Sequence, residues 1–88
     1  MFIAIDHDIH DAASFQRRAE GALPPPAGLH VHMCLPTDDL SRATCLYEAE
    51  TLEAVRSFVD GALGDACTNR YFPIAEGHAI GLPARQLA

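Results

Sequence analysis

The sequence contains no lysine, and its six basic residues are arginines scattered along the chain. Twelve acidic residues outnumber them and give a formal net charge of −6 at pH 7. Proteins that bind nucleic acid or an anionic membrane surface need concentrated positive charge, because phosphate groups supply most of the attraction. The composition therefore argues against nucleic acid and membranes as partners.

The chain also lacks the cysteine spacing of disulfide frameworks and zinc modules. Its three cysteines, Cys34, Cys45 and Cys67, are an odd number without a CxxC pair. No charged-then-apolar leader opens the chain, and no run approaches the roughly 18 apolar residues of a membrane-spanning helix. We therefore expect a cytoplasmic protein with reduced thiols.

Motifs of common catalytic machinery are missing too. The sequence has no Ser-His-Asp order, no Gly-rich phosphate loop and no HExxH pattern. The sequence alone leaves open whether the protein is an enzyme.

The apolar content is high for so short a chain. Residues 1–88 make one domain, and a domain of this size buries only about 60–65% of the surface that its unfolded chain exposes. Yet 49% of the residues are hydrophobic. Either the surface carries an apolar patch, or a partner covers one face of the sheet. We therefore predict a homodimer.

Hydrophobic periodicity predicts six elements. Strands are predicted over 2–7, 29–35, 43–49 and 70–76, and helices over 12–22 and 52–63. Asp11 or Ser14 can cap the first helix and Thr51 the second, because their side-chain oxygens accept from the free N–H groups of a first turn. This order predicts an α+β ferredoxin-like βαββαβ sandwich, with both helices on one face of a four-stranded antiparallel sheet. The second strand then lies at an edge beside the third. The other sheet face is open to a partner, as in dimeric α+β barrels.

The predicted second strand carries three metal-ligand types at alternate positions. Successive strand side chains point to opposite faces, so His30, His32 and Cys34 share one face and apolar residues share the other. The apolar row suits the helices, which turns the His/His/Cys row to the open face. A symmetric hairpin places Glu48 opposite His30. Imidazole and thiolate favour Ni, Zn or Cu over Mg or Ca. The alternative is that these side chains only decorate a dimer face.

A second polar cluster ends the first strand, where His7 and His10 are each followed by aspartate. A neighbouring carboxylate can orient an imidazole that acts as a base or metal ligand. We expect His7 to reach the open face. The alternative is a polar strand exit with a helix cap. Cys45, in mid-strand, is expected to fill the core, and Cys67 to lie in a turn.

The stretch from His30 through Val55 resembles small bacterial proteins of unknown function that include an actinobacterial nickel-binding protein. Cys45-Leu46-Tyr47-Glu48-Ala49 matches their Cys-hydrophobic-x-Glu-Ala strand end, His30 matches a histidine early in the second strand, and His7 one that closes the first. The resemblance implies a ferredoxin-like fold, dimerisation through the open sheet face, and histidine ligands near that interface. It covers about half of the chain. The family's histidine in the second helix is absent, and Phe58-Val59-Asp60 stands there instead.

Two functions follow as hypotheses, beside the plainer possibility of a structural partner module with no bound ligand. The first is a metal-binding homodimer that holds a divalent transition metal, Ni or Zn, with His7, His30, His32 and Cys34. The second is a dimeric α+β barrel enzyme or small-organic-ligand-binding module, in which His7 or His30 serves as acid or base. The metal content of tag-free protein discriminates between them.

Overall fold

A computed structural model describes residues 1–87 and has the element order that the sequence predicts. The elements are β1 (Phe2–Ile9), α1 (Ala12–Gly21), β2 (Leu29–Pro36), β3 (Arg42–Ala49), α2 (Leu52–Leu63) and β4 (Cys67–Pro73). The four strands form one antiparallel sheet in the order β2-β3-β1-β4. The ferredoxin-like α+β fold is thus confirmed, with β2 at an edge beside β3.

Both helices begin at the side-chain caps that the sequence indicates. The Asp11 carboxylate accepts from the backbone N–H of Ser14 at 3.0 Å, and the Thr51 hydroxyl accepts from that of Ala54 at 3.1 Å. Each bond satisfies a donor that has no partner inside the helix. α2 ends at Gly64, whose φ of +54° favours glycine.

The core lies between the two helices and one face of the sheet. α2 buries Val55, Val59 and Leu63, whose four-residue spacing keeps them on one side of the helix. The sheet contributes residues at alternate positions of its two central strands, namely Ile3, Ile5, Ala43, Cys45, Tyr47 and Ala49. The prediction that Cys45 fills the core is confirmed.

The opposite face of the sheet carries no helix but is covered at one end. Phe2 lies on that face and is only 1% exposed. The Arg85 guanidinium lies over its ring, 5.5 Å from the centroid. The carboxylate of Glu48, directly opposite Phe2, accepts from the backbone N–H groups of Gln86 and Leu87 at 2.8 and 3.1 Å. The C-terminal segment is thereby tied across this end of the sheet.

A β-bulge in β2 changes which side chains share a face. Val31 pairs with Tyr47 but Met33 pairs with Leu46, so β2 has one extra residue between these pairs. Beyond the bulge, Met33 and Leu35 lie on the open face, and Cys34 points to the helices opposite Cys45. The prediction that Cys34 lies on one face with His30 and His32 is therefore wrong, because the extra residue shifts the alternation by one.

The C-terminal third differs from the prediction in its boundaries. β4 begins at Cys67 rather than at residue 70, so Cys67 is a buried strand residue and not part of a turn. Beyond Pro73 the chain leaves the sheet, and Glu76–His78 form a short 3-10 turn. Pro73 lies at the end of an edge strand, as its missing N–H donor requires.

Candidate functional site

His7 lies beneath the helices and is 2% exposed. It continues the row of Ile3 and Ile5 in β1, and its ring meets the ring of Phe15 from α1 edge-on, with centroids 5.4 Å apart. The expectation that His7 reaches the open face is wrong. The sequence does contain a signal for this placement. His7 follows Ile3 and Ile5 at alternate positions of β1, which indicates that all three lie on the face covered by the helices.

Both ring nitrogens of His7 have polar neighbours. Nδ1 lies 2.6 Å from Oδ1 of Asn69, in the adjacent strand β4, and Nε2 lies 3.3 Å from Sγ of Cys45, in β3. The Asn69 amide nitrogen donates to Asp60 of α2 at 3.0 Å, so the amide oxygen faces His7. Because that oxygen only accepts, Nδ1 carries the hydrogen and Nε2 of the neutral ring has a free lone pair toward Cys45.

Burial lowers the pKa of His7 below its ordinary value of 6.5, against the opposing effects of the Asn69 hydrogen bond and the Asp6 charge. The imidazole is therefore neutral at pH 7, and its Nε2 lone pair is available to a proton donor or to a metal ion.

Cys45 and Cys34 are directly opposed on neighbouring strands, with their side chains on the same face. Cys45 is 4% exposed, whereas Cys34 is exposed. Donation from the Cys45 thiol stabilises the Cys34 thiolate and lowers the pKa of Cys34 from 9.0 to about 7. The same interaction, together with burial, raises the pKa of Cys45. The Cys45 hydrogen thus has two possible acceptors, the Cys34 sulfur and Nε2 of His7.

His7, Cys34 and Cys45 line one apolar cavity of about 60 Å³ between the sheet and the helices. Phe15, Tyr47, Val59 and Leu63 are among its other lining residues. Burial raises the pKa of the Tyr47 hydroxyl, so this group is also uncharged at pH 7. The cluster therefore combines one imidazole and two thiols in a mostly apolar space that would accommodate an ion or a few water molecules.

His30 and His32 lie on the opposite face of the sheet from this cavity. Nε2 of His32 contacts the Glu48 carboxylate at 2.8 Å, its ring packs on Phe2, and its side chain is 5% exposed. The His30 ring contacts His32 edge-on, with centroids 4.5 Å apart. The predicted opposition of His30 and Glu48 is confirmed. The Glu48 carboxylate, however, already accepts hydrogen bonds from the backbone N–H groups of Gln86 and Leu87.

The four predicted ligands thus separate into two pairs, His30 with His32 and His7 with Cys34, on opposite faces of one sheet. Within residues 1–87, no group of three or more His, Cys, Asp and Glu side chains is arranged as a ready-made metal site. Cys45 and Asn69 are the members of the His7 cluster that the sequence did not identify. Cys45 was assigned to the core, where it lies, but its contact with Cys34 depends on the bulge.

The remaining polar cluster at the end of β1 is structural. Asp11 is the cap of α1, and Nε2 of His10 lies 2.6 Å from the Thr68 hydroxyl at an exposed position. This arrangement matches the alternative given for these residues from the sequence, a polar strand exit with a helix cap.

Over the part of the chain that the structure describes, no helix is long and apolar enough to cross a membrane. No protein-family profile matches the chain, and no curated protein and no solved structure is significantly similar to it.

Proposed function

We propose that the protein is a cytoplasmic homodimer that binds a late first-row transition-metal ion, nickel or zinc, with His7, Cys34 and Cys45 as ligands. The observation that carries this proposal is the hydrogen bonding of His7. Its Nδ1 is held by Asn69, and its Nε2 lone pair faces the sulfur of Cys45.

The chemistry of the donor set fits such an ion. An imidazole nitrogen with two thiol sulfurs is a borderline-to-soft set that suits Zn, Ni or Cu. A tetrahedral zinc ion, about 2.0 Å from nitrogen and 2.3 Å from sulfur, separates these two atoms by about 3.5 Å. Nε2 of His7 and Sγ of Cys45 are 3.3 Å apart. Only a small outward movement would admit an ion between them.

The surroundings of His7 also fit a ligand role. Metal-binding histidines usually donate their second ring N–H to an oxygen that fixes the tautomer and the ring orientation. Asn69 supplies that oxygen, and Asp60 in turn accepts from the Asn69 amide nitrogen. A thiol must lose its proton to bind a metal, and the lowered pKa of Cys34, about 7, makes this loss easy at neutral pH. The pKa of Cys45 is raised, so its proton must be displaced by the ion itself.

His30 and His32 are left out of this ligand set. They lie across the sheet from His7, and metal ligation by Nε2 of His32 would break its bond to the buried Glu48 carboxylate. Removing one partner of a buried, hydrogen-bonded pair is costly.

The size of the cavity favours an ion over an organic substrate. Sites for drug-sized organic ligands measure about 300–1,000 Å³, whereas the cavity at His7 measures about 60 Å³. The alternative of an enzyme or organic-ligand module that uses His7 as a base would require this cavity to widen.

The open sheet face supports the dimer. Met33, Leu35 and Phe72 lie there and are 39%, 59% and 43% exposed. Asp6 and Arg70 are paired neighbours on the same face, so that face carries both signs of charge beside its apolar patch. A second copy of the chain would cover the apolar side chains and offer complementary charges.

The test is a titration of tag-free protein with Ni²⁺ and Zn²⁺ by calorimetry, with native mass spectrometry for stoichiometry. We expect about one ion per chain, and at least a tenfold loss of affinity in Cys34→Ser and Cys45→Ser. His30→Ala is the matched control and should bind as the parent does. Unchanged binding in both cysteine variants, or loss only in His30→Ala, would reject this ligand set. An organic molecule retained in metal-free protein would favour the alternative.

A further inference from the structure

The extra residue in β2 brings two thiols together that a regular hairpin would keep apart. Without the bulge, Cys34 would face Thr44 and lie on the open face. With the bulge, it lies opposite Cys45 on the covered face. Bulges often re-aim one side chain next to a functional site. We infer that Cys34 and Cys45 form a redox-active dithiol, which a hydroperoxide oxidises to a cross-strand disulfide.

The backbone geometry fits a disulfide without rearrangement of the sheet. Directly opposed residues of antiparallel strands have Cα atoms about 4.5 or 5.5 Å apart, depending on the type of pair. Disulfides bridge Cα atoms that are about 4.4–6.8 Å apart. Cys34 and Cys45 are such an opposed pair, so either type of pairing falls within the range.

The third cysteine is excluded from this pairing by the sheet order. Cys67 begins β4, and β1 lies between β4 and β3. Strands are about 4.8 Å apart, so two steps across the sheet separate Cys67 from Cys45 by more than about 9 Å. Cys34, on β2, is one strand farther away. Of the three possible pairings, only Cys34 with Cys45 is compatible with the fold.

The exposures of the two thiols assign their roles. Cys34 is exposed and can meet a hydroperoxide from solvent, whereas Cys45 is 4% exposed and can meet only its neighbours. Cys34 is therefore the attacking thiol and Cys45 the resolving one.

The chemistry balances with hydrogen peroxide as the oxidant. The Cys34 thiolate attacks one oxygen, so an S–O bond forms, the O–O bond breaks, and hydroxide leaves. The sulfur of Cys45 then attacks the sulfenic sulfur of Cys34, so the S–S bond forms and the S–O bond breaks. Each step releases one hydroxide, and the two hydroxides combine with the two thiol protons to give two waters. Two thiols and one peroxide thus become one disulfide and two waters, and a dithiol reductant reverses the oxidation.

This inference does not rest on the proposed metal site. The reaction needs only the two thiols and a peroxide, so it is measured in the presence of a chelator. A protein that binds no metal would still form the disulfide. A protein that binds metal but forms no disulfide would retain the first proposal and lose this one.

The experiment treats tag-free wild-type protein with hydrogen peroxide in EDTA and then maps unreduced tryptic peptides. Cleavage at arginine leaves the three cysteines on separate peptides, residues 19–42, 43–56 and 57–70. We expect loss of two of the three thiols, a mass decrease of about 2 Da, and a cross-link between the first two peptides. Dithiothreitol should restore both thiols.

Three variants separate the roles. Cys67→Ser should form the disulfide as the wild type does. Cys45→Ser should stop at a sulfenic acid on Cys34, seen as a gain of about 16 Da that dimedone traps. Cys34→Ser should give neither product at the same peroxide dose. A link to Cys67, a disulfide between two Cys34 residues of different chains, or irreversible oxidation of wild-type Cys34 without a cross-link would overturn the inference.

Discussion

Nδ1 of His7 lies 2.6 Å from Oδ1 of Asn69, so a residue near the start of the chain is held by one that follows it by 62 positions. This bond joins β1 to β4, and the amide nitrogen of Asn69 extends it to Asp60 on α2. The orientation of the His7 ring, and with it the direction of the Nε2 lone pair, therefore depends on three elements of the fold.

Replacing Asn69 by alanine should weaken both stability and metal binding. The buried N–H of His7 would lose its acceptor, which costs about 1–3 kcal/mol of unfolding free energy. The ring would also lose its orientation, and we expect a 10- to 100-fold lower affinity for Ni²⁺ or Zn²⁺. Urea denaturation and calorimetry measure the two effects.

Thr68→Ala is the control for Asn69→Ala. Thr68 precedes Asn69 in β4, but its hydroxyl bonds the exposed His10. Its loss should change stability by no more than about 0.5 kcal/mol and leave metal affinity unchanged. Equal effects of the two substitutions would show that the Asn69–His7 bond has no special role.

Leu40 adopts a backbone conformation that predicts a stabilising substitution. Its φ is +59°, a backbone conformation that is unfavourable for residues other than glycine, asparagine and aspartate. Leu40→Asn should raise the unfolding free energy by about 0.5–1 kcal/mol, because asparagine tolerates this backbone region. Asp38→Asn, in the same loop, should have little effect. No gain in the urea midpoint of Leu40→Asn would contradict the expectation.

The sequence predicts what depends on local chemistry and misses what depends on register. Asp11 and Thr51 are recognisable as caps because each bonds an N–H only three residues away. The bulge after Val31 has no such local signal, since no glycine or proline marks it. One extra residue there moved Cys34 from the open face to the covered face.

The sequence predicts only part of the candidate site, because the contacts between its strands depend on register. His7 and Cys34 were identified by residue type, because few side chains bind late transition metals. Cys45 and Asn69 come close to His7 only through the pairing of β1 with β3 and β4, strands that are distant from it in sequence. Alternation alone places residues on faces, but it does not say which side chains of different strands meet.

The dimer is tested by a substitution on the open face. Light scattering should give about twice the 9.5 kDa chain mass for the wild type. Leu35→Glu places a charge in the exposed apolar patch and should shift the protein to monomer, because a buried unpaired charge is unfavourable. Leu23→Glu is the control, since Leu23 is 55% exposed on the helical side. A wild-type monomer at micromolar concentration would refute the dimer.

Glu48 should make the unfolding free energy of the protein depend on pH in the acidic range. Its pKa falls from 4.5 to about 2, chiefly because the carboxylate accepts from the backbone of Gln86, and also because of His32 and the Leu87 N–H. A carboxyl with a lower pKa in the folded state binds fewer protons there than in the unfolded state. Its contribution to stability is therefore present above about pH 4.5 and lost as the pH falls toward 2.

Glu48→Gln tests this dependence, because glutamine keeps one acceptor oxygen but does not titrate. Between pH 5 and pH 2.5 the urea midpoint of the wild type should fall more steeply than that of Glu48→Gln, and the two curves should converge in acid. Glu50→Gln, at an exposed position two residues along, should follow the wild-type curve. Parallel curves for the wild type and Glu48→Gln would mean that the carboxylate is not ionised against the C-terminal segment. Amide exchange at Gln86 and Leu87 gives a second readout: both N–H groups should lose protection in the same pH interval, because they donate to the carboxylate that becomes protonated.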